Sequence, residues 1–309
     1  MTENSNSKFH LVVIAGPTAS GKTNLATKLA HRLNADLISA DSRQVYKGLD
    51  LGTGKDLIEY QNFDPPIRYH LIDHVGPREI YSLIHFQQDC YSLIDNLSQA
   101  GQGRRDLAIL VGGTGMYIEA VLKRYRIANI PENESLRLSY AEKSREELEE
   151  ILLATDSEQA AMTDLSSRKR ILRSLEIAES KKQGIIPYSP LPKIDFTFTV
   201  YALAWDRALL RERIDKRLQS RLEAGMVDEV KGLIAQGVDA QRLRLLGMEY
   251  AEIVDFIQGV KDYPTMVEDL RHRIHLLAKR QETYFRGMER RGIPVQWIKP
   301  EQGLDQIFP

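Results

Sequence analysis

Eight consecutive residues, Gly16-Pro17-Thr18-Ala19-Ser20-Gly21-Lys22-Thr23, follow the pattern glycine, four residues, glycine, lysine, threonine. The chemistry of that pattern is phosphate binding. Its glycines let the backbone close around phosphate oxygens, successive N–H groups and a helix start supply donors, Lys22 adds a point charge, and the Thr23 hydroxyl suits Mg2+. Whose phosphate is bound stays open. A nucleotide hydrolase adds a metal-holding acid at the end of another core strand. Here the apolar run Leu107–Val111 leads instead into Gly112-Gly113-Thr114-Gly115. The acid at a strand end is Asp41, in Asp41-Ser42-Arg43-Gln44. Beside the phosphate loop its carboxylate suits a base that accepts a proton from an incoming nucleophile. The same position also suits an aspartate that caps a turn or a helix. A further cationic set, Arg213, Arg217 and Arg221, recurs every four residues, while Leu210, Ile214, Leu218 and Leu222 form an apolar stripe beside it.

These groups need a scaffold, and the hydrophobic pattern describes one. His10–Ala15 is a short continuous apolar run rich in β-branched residues, as a strand buried on both faces requires, and it ends at Gly16. Leu25, Ala26, Leu29, Ala30 and Leu33 share a helical face over 23–33, and Ala35–Ala40 and Asp106–Val111 read as further strands. Strand, helix and strand in alternation predict a parallel sheet with ligands at the strand C-terminal ends. The fold expected is α/β: a phosphate-loop NTPase-like parallel sheet flanked by helices, with a helical C-terminal part. Between its strands lies a helical insertion, marked by the loop signal Asn129–Glu134, charged helical stretches over 135–153 and 167–183, and a Gly- and Pro-rich break over 184–192. The domains expected are therefore 1–117 with 195–309, and an insertion over 118–194. Phe196–Ala204 has strand composition, and from Asp206 onward the chain is mostly helical, with breaks at Gly237 and Gly247.

Composition narrows the function classes. The 309 residues carry 42 Lys and Arg against 43 Asp and Glu, so no global positive field draws the chain onto nucleic acid, and any such contact is local. Cys90 is the single cysteine, which excludes an intrachain disulfide and suits a reducing compartment. Met1–Ser7 has neither a basic nor an apolar leader region, and no apolar run reaches the ~18 residues of a membrane span. The expectation is a cytoplasmic protein.

With these residues in place, the sequence resembles the tRNA dimethylallyltransferases, also called tRNA isopentenyltransferases, over nearly its whole length. The resemblance rests, in order, on Gly16–Thr23, Asp41–Gly48, Leu51-Gly52-Thr53, His70–Asp73, Tyr81-Ser82, Leu110–Gly115 with Tyr117, the arginine-rich Arg168–Glu176, and Leu277–Gln281. It implies that the N6 amine of an adenosine just 3′ of the anticodon attacks C1 of dimethylallyl diphosphate, releasing diphosphate. Asp41 would then take the N6 proton, Thr18 would orient the reacting groups, Lys22 and Arg217 would stabilise the leaving diphosphate with Gly16–Thr23 around it, and Thr23 would bind phosphate or Mg2+. Ser42, Arg43 and Gln44 would meet the target base and its neighbours, with Thr114, Arg137 and Gln281 as further tRNA contacts. Since a stacked base cannot reach a buried phosphate site, the adenosine would be flipped into the core. Local basic patches, Lys169, Arg170 and Arg173, then Arg242 and Arg244, then Lys279, Arg280 and Arg286, have the charge to hold tRNA phosphates.

The chain also departs from the family pattern. Where Gly-Thr-Ala-Lys-Pro is common it has Gly52-Thr53-Gly54-Lys55-Asp56, for Ile-Gly-Tyr it has Leu246-Gly247-Met248, and for Thr-Trp it has Thr283-Tyr284. No C-terminal Cys/His finger of the eukaryotic kind follows, so a bacterial member, working as a monomer, is expected. Three other readings remain at this stage. An adenylate isopentenyltransferase would modify free nucleotide, a small-molecule kinase would use the loop for ATP with Asp41 as base, and a non-enzymatic RNA-binding protein would carry a degenerate site.

Overall fold

A computed structural model describes residues 9–99, 106–188, 190–301 and 303–307. The leader reading of Met1–Ser7 therefore lies outside the described residues. Six strands, β1 (Phe9–Ala15), β2 (Asp36–Ser39), β3 (Tyr69–His70), β4 (Leu107–Gly112), β5 (Phe196–Leu203) and β6 (Val295–Ile298), form one sheet in the order β3-β2-β4-β1-β5-β6. Every neighbouring pair is parallel. This is the α/β architecture expected. β1 is central because it is apolar on both faces: Leu11, Val13, Ile14 and Ala15 are fully buried. The helix Lys22–Leu33 follows β1 directly, and its face Leu25, Ala26, Leu29, Ala30 and Leu33 packs with Ile14, Leu37 and Ile109 of the sheet.

The chain divides into two compact units, residues 1–123 with 193–309, and 124–192. The insertion expected from residue 118 thus begins six residues later. The reason is the helix Gly115–Leu122, which continues from β4 and belongs to the sheet unit. Its Ala120 carbonyl accepts from Gln87 Nε2 at 2.8 Å, its Val121 carbonyl accepts from the Tyr91 hydroxyl at 2.9 Å, and Tyr117 stacks on Phe86.

The second unit has its own apolar cluster of Leu148, Leu152, Ala160, Ile171, Leu172 and Leu175. The helical stretch expected over 135–153 is two helices, Glu134–Ser139 and Arg145–Thr155. Ser144 starts the second with reciprocal bonds: its Oγ accepts from Glu147 N–H, and its own N–H donates to the Glu147 carboxylate.

In the first unit the C-terminal helices make a second core. The helix Arg207–Glu223 buries Leu210, Ile214, Leu218 and Leu222, the stripe read from the sequence, against Val45, Tyr46 and Leu49 and against the helices Met226–Ala235, Met248–Ile257 and Tyr263–Arg290. Gly237 and Gly247 fall at helix ends as expected. No helix of the described residues is long and apolar enough to cross a membrane.

Candidate active site

The phosphate-loop segment leaves β1 at Ala15 and turns into the helix that starts at Lys22. Two residues make the turn with left-handed backbone, Ala19 at φ 59° and Gly21 at φ 81°. No side chain caps the helix at Gly21, so the donors at its N-terminus are not consumed by a capping residue. The loop is held from outside by sequence-distant groups. Trp205 Nε1 donates to the Ser20 carbonyl and Arg213 Nε to the Ala19 carbonyl, both at 2.9 Å, with the Arg213 guanidinium over the Trp205 ring. Gln281 accepts from Thr18 N–H at 2.8 Å through Oε1 and donates to the Gly113 carbonyl at 3.1 Å through Nε2. One side chain of the long helix thus ties the phosphate loop to the turn after β4.

In front of the loop lies a cavity of about 990 Å3. Its lining carries eight lysine and arginine side chains against four carboxylates, in a chain whose overall charge is −1. Cationic enrichment of this kind in a half-enclosed space suits a polyanionic ligand. Burial lowers the Lys22 pKa to about 8, helped by Arg217 and opposed by Asp41, Asp56 and Glu59. Burial likewise pushes the Glu249 and Glu59 carboxyls above the usual carboxylate range.

Asp41 follows β2 and lines the cavity. Its Oδ1 accepts from Arg43 N–H at 2.9 Å and from Gln44 N–H at 3.3 Å. It is therefore a turn aspartate and a cavity carboxylate at once, so the two readings of this residue do not exclude each other. Ser42 N–H donates to Thr114 Oγ1 at 3.2 Å, Arg43 to the Leu245 carbonyl at 3.0 Å, and Gln44 Nε2 to the Gly54 carbonyl at 3.1 Å.

Thr53, Gly54 and Asp56 also line the cavity, from the loop Leu49 to Asp56, whose backbone is satisfied by side chains. The Glu229 carboxylate accepts from the N–H groups of Asp50, Leu51 and Gly52 and from the Tyr250 hydroxyl. Arg221 donates to the Leu51 and Gly52 carbonyls, and buried Lys55 bonds the Tyr46 carbonyl, Asp50 and Asp73. Arg217 Nη2 donates to the Gly54 carbonyl at 2.9 Å and to Asp56 Oδ2 at 2.7 Å. The arginine row that sequence spacing could assign to solvent instead lines the cavity along its whole length.

The expected site residues divide clearly. Thr18, Ala19, Gly21, Lys22, Thr23, Asp41, Ser42, Arg43, Gln44, Thr114, Arg217, Arg280 and Gln281 line the one cavity. Gly16, Pro17 and Ser20 are buried behind the loop surface, with Pro17 presenting its carbonyl to Lys22 Nζ at 3.2 Å. Lys279 is exposed outside the cavity lining.

Several expected RNA contacts are otherwise engaged. Arg137 and Arg173 both bond the carboxylate of Glu176, whose side chain is 1% exposed, and Arg173 also bonds the Ile130 carbonyl. Neutralising a buried glutamate gives these two arginines a structural task beside the tRNA contact expected of them. Arg244 is drawn to Asp255 and Gln258, and Arg242 to the Pro77 and Glu79 carbonyls over the Tyr46 ring, so both are engaged within the protein as well. Arg170 is exposed and paired with Asp164, and Lys169 is exposed.

Sequence reasoning missed Asp56, Glu59, Lys216, Glu249 and Arg273 of the lining. For the long helix a signal existed: Arg273, Leu276, Leu277, Arg280 and Gln281 have the spacing of one helical face. The departure at Tyr284 also has a partner. Its hydroxyl donates to fully buried Glu119 at 2.6 Å, which Arg291 grips with two further bonds.

Comparison with known proteins meets this geometry. A family model described as IPP transferase matches residues 44–288. The chain is 44% identical over 291 residues to tRNA dimethylallyltransferase 1 of Syntrophus aciditrophicus, covering 94% of this chain and 93% of that one. It is 43% identical to tRNA dimethylallyltransferase 2 of Bacteroides fragilis, covering 96% and 95%. The crystal structure of the full-length tRNA isopentenylpyrophosphate transferase from Bacillus halodurans superimposes with a TM-score of 0.67 at 31% identity, over 95% of this chain and 90% of that one. A loop of phosphate-binding pattern, a cation-rich cavity and a match of this extent lead to one statement: the chain belongs to the IPP transferase family.

Proposed function

We propose that this protein transfers the dimethylallyl group of dimethylallyl diphosphate to N6 of the adenosine 3′-adjacent to the anticodon of tRNA. The observation that carries this reading is the meeting of Lys22, Thr23, Asp41 and Arg217 in one cavity. In the reaction the N6 lone pair forms a bond to C1 of the donor. The C1–O bond breaks with its electron pair going to diphosphate, and the amine proton passes to Asp41. Asp41 Oδ1 is held by the Arg43 and Gln44 amides, so the carboxylate is fixed in place for that proton. Charge accumulates on the leaving oxygens as the bond breaks. Lys22, Arg217 and the helix N-terminus stabilise that charge more than they stabilise the ground state.

Mg2+ fits the donor set here. The Thr23 hydroxyl lines the cavity, and Glu59, also in the lining, has Oε2 buried without a hydrogen-bond partner, which leaves oxygen acceptors for a hard cation and its water. When bound, Mg2+ would neutralise charge on the diphosphate. On the RNA side Ser42, Arg43, Gln44 and Thr114 stand beside Asp41, where a flipped adenosine would arrive. Lys169, Arg170, Lys279 and Arg280 are exposed cations suited to tRNA phosphates. The same reading takes the protein to act on tRNA as a monomer in the cytoplasm.

The test is incubation of the protein with Mg2+, dimethylallyl diphosphate and unmodified tRNA, followed by mass spectrometry of the digested nucleosides. Prenylated adenosine that disappears with Lys22→Ala and Asp41→Asn is the expected result. Prenylated free AMP in place of tRNA, or consumption of ATP by a small hydroxyl acceptor, would replace this reading.

A further inference from the structure

Two departures from the family pattern, Gly54 and Asp56, meet at the same side chain. Arg217 Nη2 donates to both the Gly54 carbonyl and Asp56 Oδ2. The guanidinium lies flat on the Gly54 backbone: a Cβ built there would fall 2.5 Å from Nη2 and 3.0 Å from Cζ and Nη1. Gly54 also sits at φ +66°, so glycine is required twice over, for its backbone and for the space it leaves. The same Gly54 carbonyl accepts from Gln44 Nε2, three residues beyond Asp41. The seat of Arg217 is therefore joined to the segment that carries the acceptor-side carboxylate.

A carboxylate beside an anion site has two opposite roles open to it. It can compete with the anion for the arginine, or it can hold the arginine in register. A competing carboxylate would take the fork of the guanidinium in a bidentate grip. Asp56 takes Nη2 alone, sharing it with a backbone carbonyl, and Nε and Nη1 make no hydrogen bond among the described residues. Two acceptors on one nitrogen, with the plane pressed against a glycine, fix the roll of the group and leave its other donors available. In a side chain as rich in rotamers as arginine, that fixing is a substantial part of what binding otherwise has to supply.

We propose that Asp56, seated with Gly54, is a positioning residue that holds the Arg217 guanidinium with Nε and Nη1 free for the diphosphate of the prenyl donor. This rests on the assignment of Arg217 to the diphosphate made above. The pair takes the place of the alanine and proline common in the family, and the two departures form one device: alanine at 54 would displace the guanidinium that Asp56 holds.

The experiment measures inorganic diphosphate binding by calorimetry in the presence of Mg2+, and steady-state kinetics, for Asp56→Ala, Asp56→Asn, Arg217→Ala and the double variant Asp56→Ala with Arg217→Ala. Positioning predicts that Asp56→Ala weakens diphosphate about 10-fold and lowers kcat/KM for dimethylallyl diphosphate to match, with the KM for tRNA unchanged. Asp56→Asn, which keeps an acceptor and loses the charge, falls between Asp56→Ala and the parent. In the Arg217→Ala background the Asp56→Ala change adds no further loss. Tighter diphosphate binding by both Asp56 variants would make the carboxylate a competitor and overturn the proposal. Additive losses in the double variant would overturn it too. If Arg217→Ala leaves diphosphate binding unchanged, the assignment of Arg217 falls and this inference with it. If Arg217→Ala weakens binding and Asp56→Ala does not, only the inference falls.

Discussion

Replacing Asp41 by asparagine and by alanine separates the proposed role as base from the observed role in the turn. Asparagine keeps an oxygen where Oδ1 now accepts from Arg43 N–H at 2.9 Å and Gln44 N–H at 3.3 Å, but it cannot take a proton. Loss of a positioned base alone is worth about 10²–10⁴ in rate. Alanine removes the base and the turn together. The shorter bond has ordinary length and the longer one lies beyond the usual N–H to O range, so the turn loses about 1–3 kcal/mol of local order. That loss falls on Arg43 and Gln44, whose side chains reach the Leu245 and Gly54 carbonyls. Single-turnover prenylation with saturating donor, and filter binding of tRNA, read the two effects apart. Asp41→Asn should lower the rate by about 10²–10⁴ with tRNA affinity within about 2-fold. Asp41→Ala should add a loss of tRNA affinity of about 5-fold or more. A rate within about 3-fold of the parent for Asp41→Asn would place the base elsewhere.

Three further outcomes follow from contacts described above. Gln281→Ala removes the bridge between Thr18 N–H and the Gly113 carbonyl, so kcat/KM for the diphosphate substrate should fall about 10-fold while tRNA affinity holds; the reverse pattern would return Gln281 to an RNA contact. Burial alone would raise the Glu176 carboxyl, but hydrogen bonds from Arg137, Arg173 and Asn133 N–H outweigh it and hold the group below the usual carboxylate range. The unfolded chain then takes up the proton first as pH falls. The stability from Glu176 is complete above about pH 4.3 and is lost as pH drops through the lowered folded value, so residues 124–192 should show faster hydrogen exchange there. Glu176→Gln should flatten that dependence, and an unchanged acid profile would contradict the pairing. In Gly112→Ala the new Cβ would sit 2.2 Å from the Ala40 carbonyl oxygen, which is backbone and cannot swing aside. Thermal unfolding should show a loss of about 2–4 kcal/mol, and a Tm near the parent's would refute the closeness of β2 and β4 at that point.

What the sequence made legible were features written in consecutive residues. β1, its glycine turn and the helix after it are a continuous apolar run, a loop pattern and a periodic face, and each is read without knowing what lies across from it. β3 and β6 hold two and four residues at the sheet edges, too short for a pattern to stand out from loop. The Ser144–Glu147 capping box was visible as Ser-Arg-Glu-Glu, yet the surrounding charges concealed the break between two helices. In the candidate site, Lys22, Asp41 and Arg217 lie in recognisable local motifs. Asp56 and Glu59 become cavity groups only when the loop after Leu49 folds against the arginine row. Two of the arginines have a structural partner that the sequence conceals. Glu176 looks like any surface acid in a charged helix, and only its burial reveals that Arg137 and Arg173 are its counterions.

The clamp of Gln281 on the phosphate loop also bears on the order in which the molecule becomes competent. Thr18 and Gln281 are 263 residues apart, Glu229 reaches back 177 residues to Gly52, and β1 completes its pairing only when β5 arrives. A chain emerging from the ribosome displays its loop sequence early, but the loop lacks the Gln281 part of its outer hold until the long helix Tyr263–Arg290 is made. Pairings this distant are slow to form, because a large loop must close before any contact compensates for it. The cavity is thus completed only when residues from both ends of the chain have met, as one of the later events of folding.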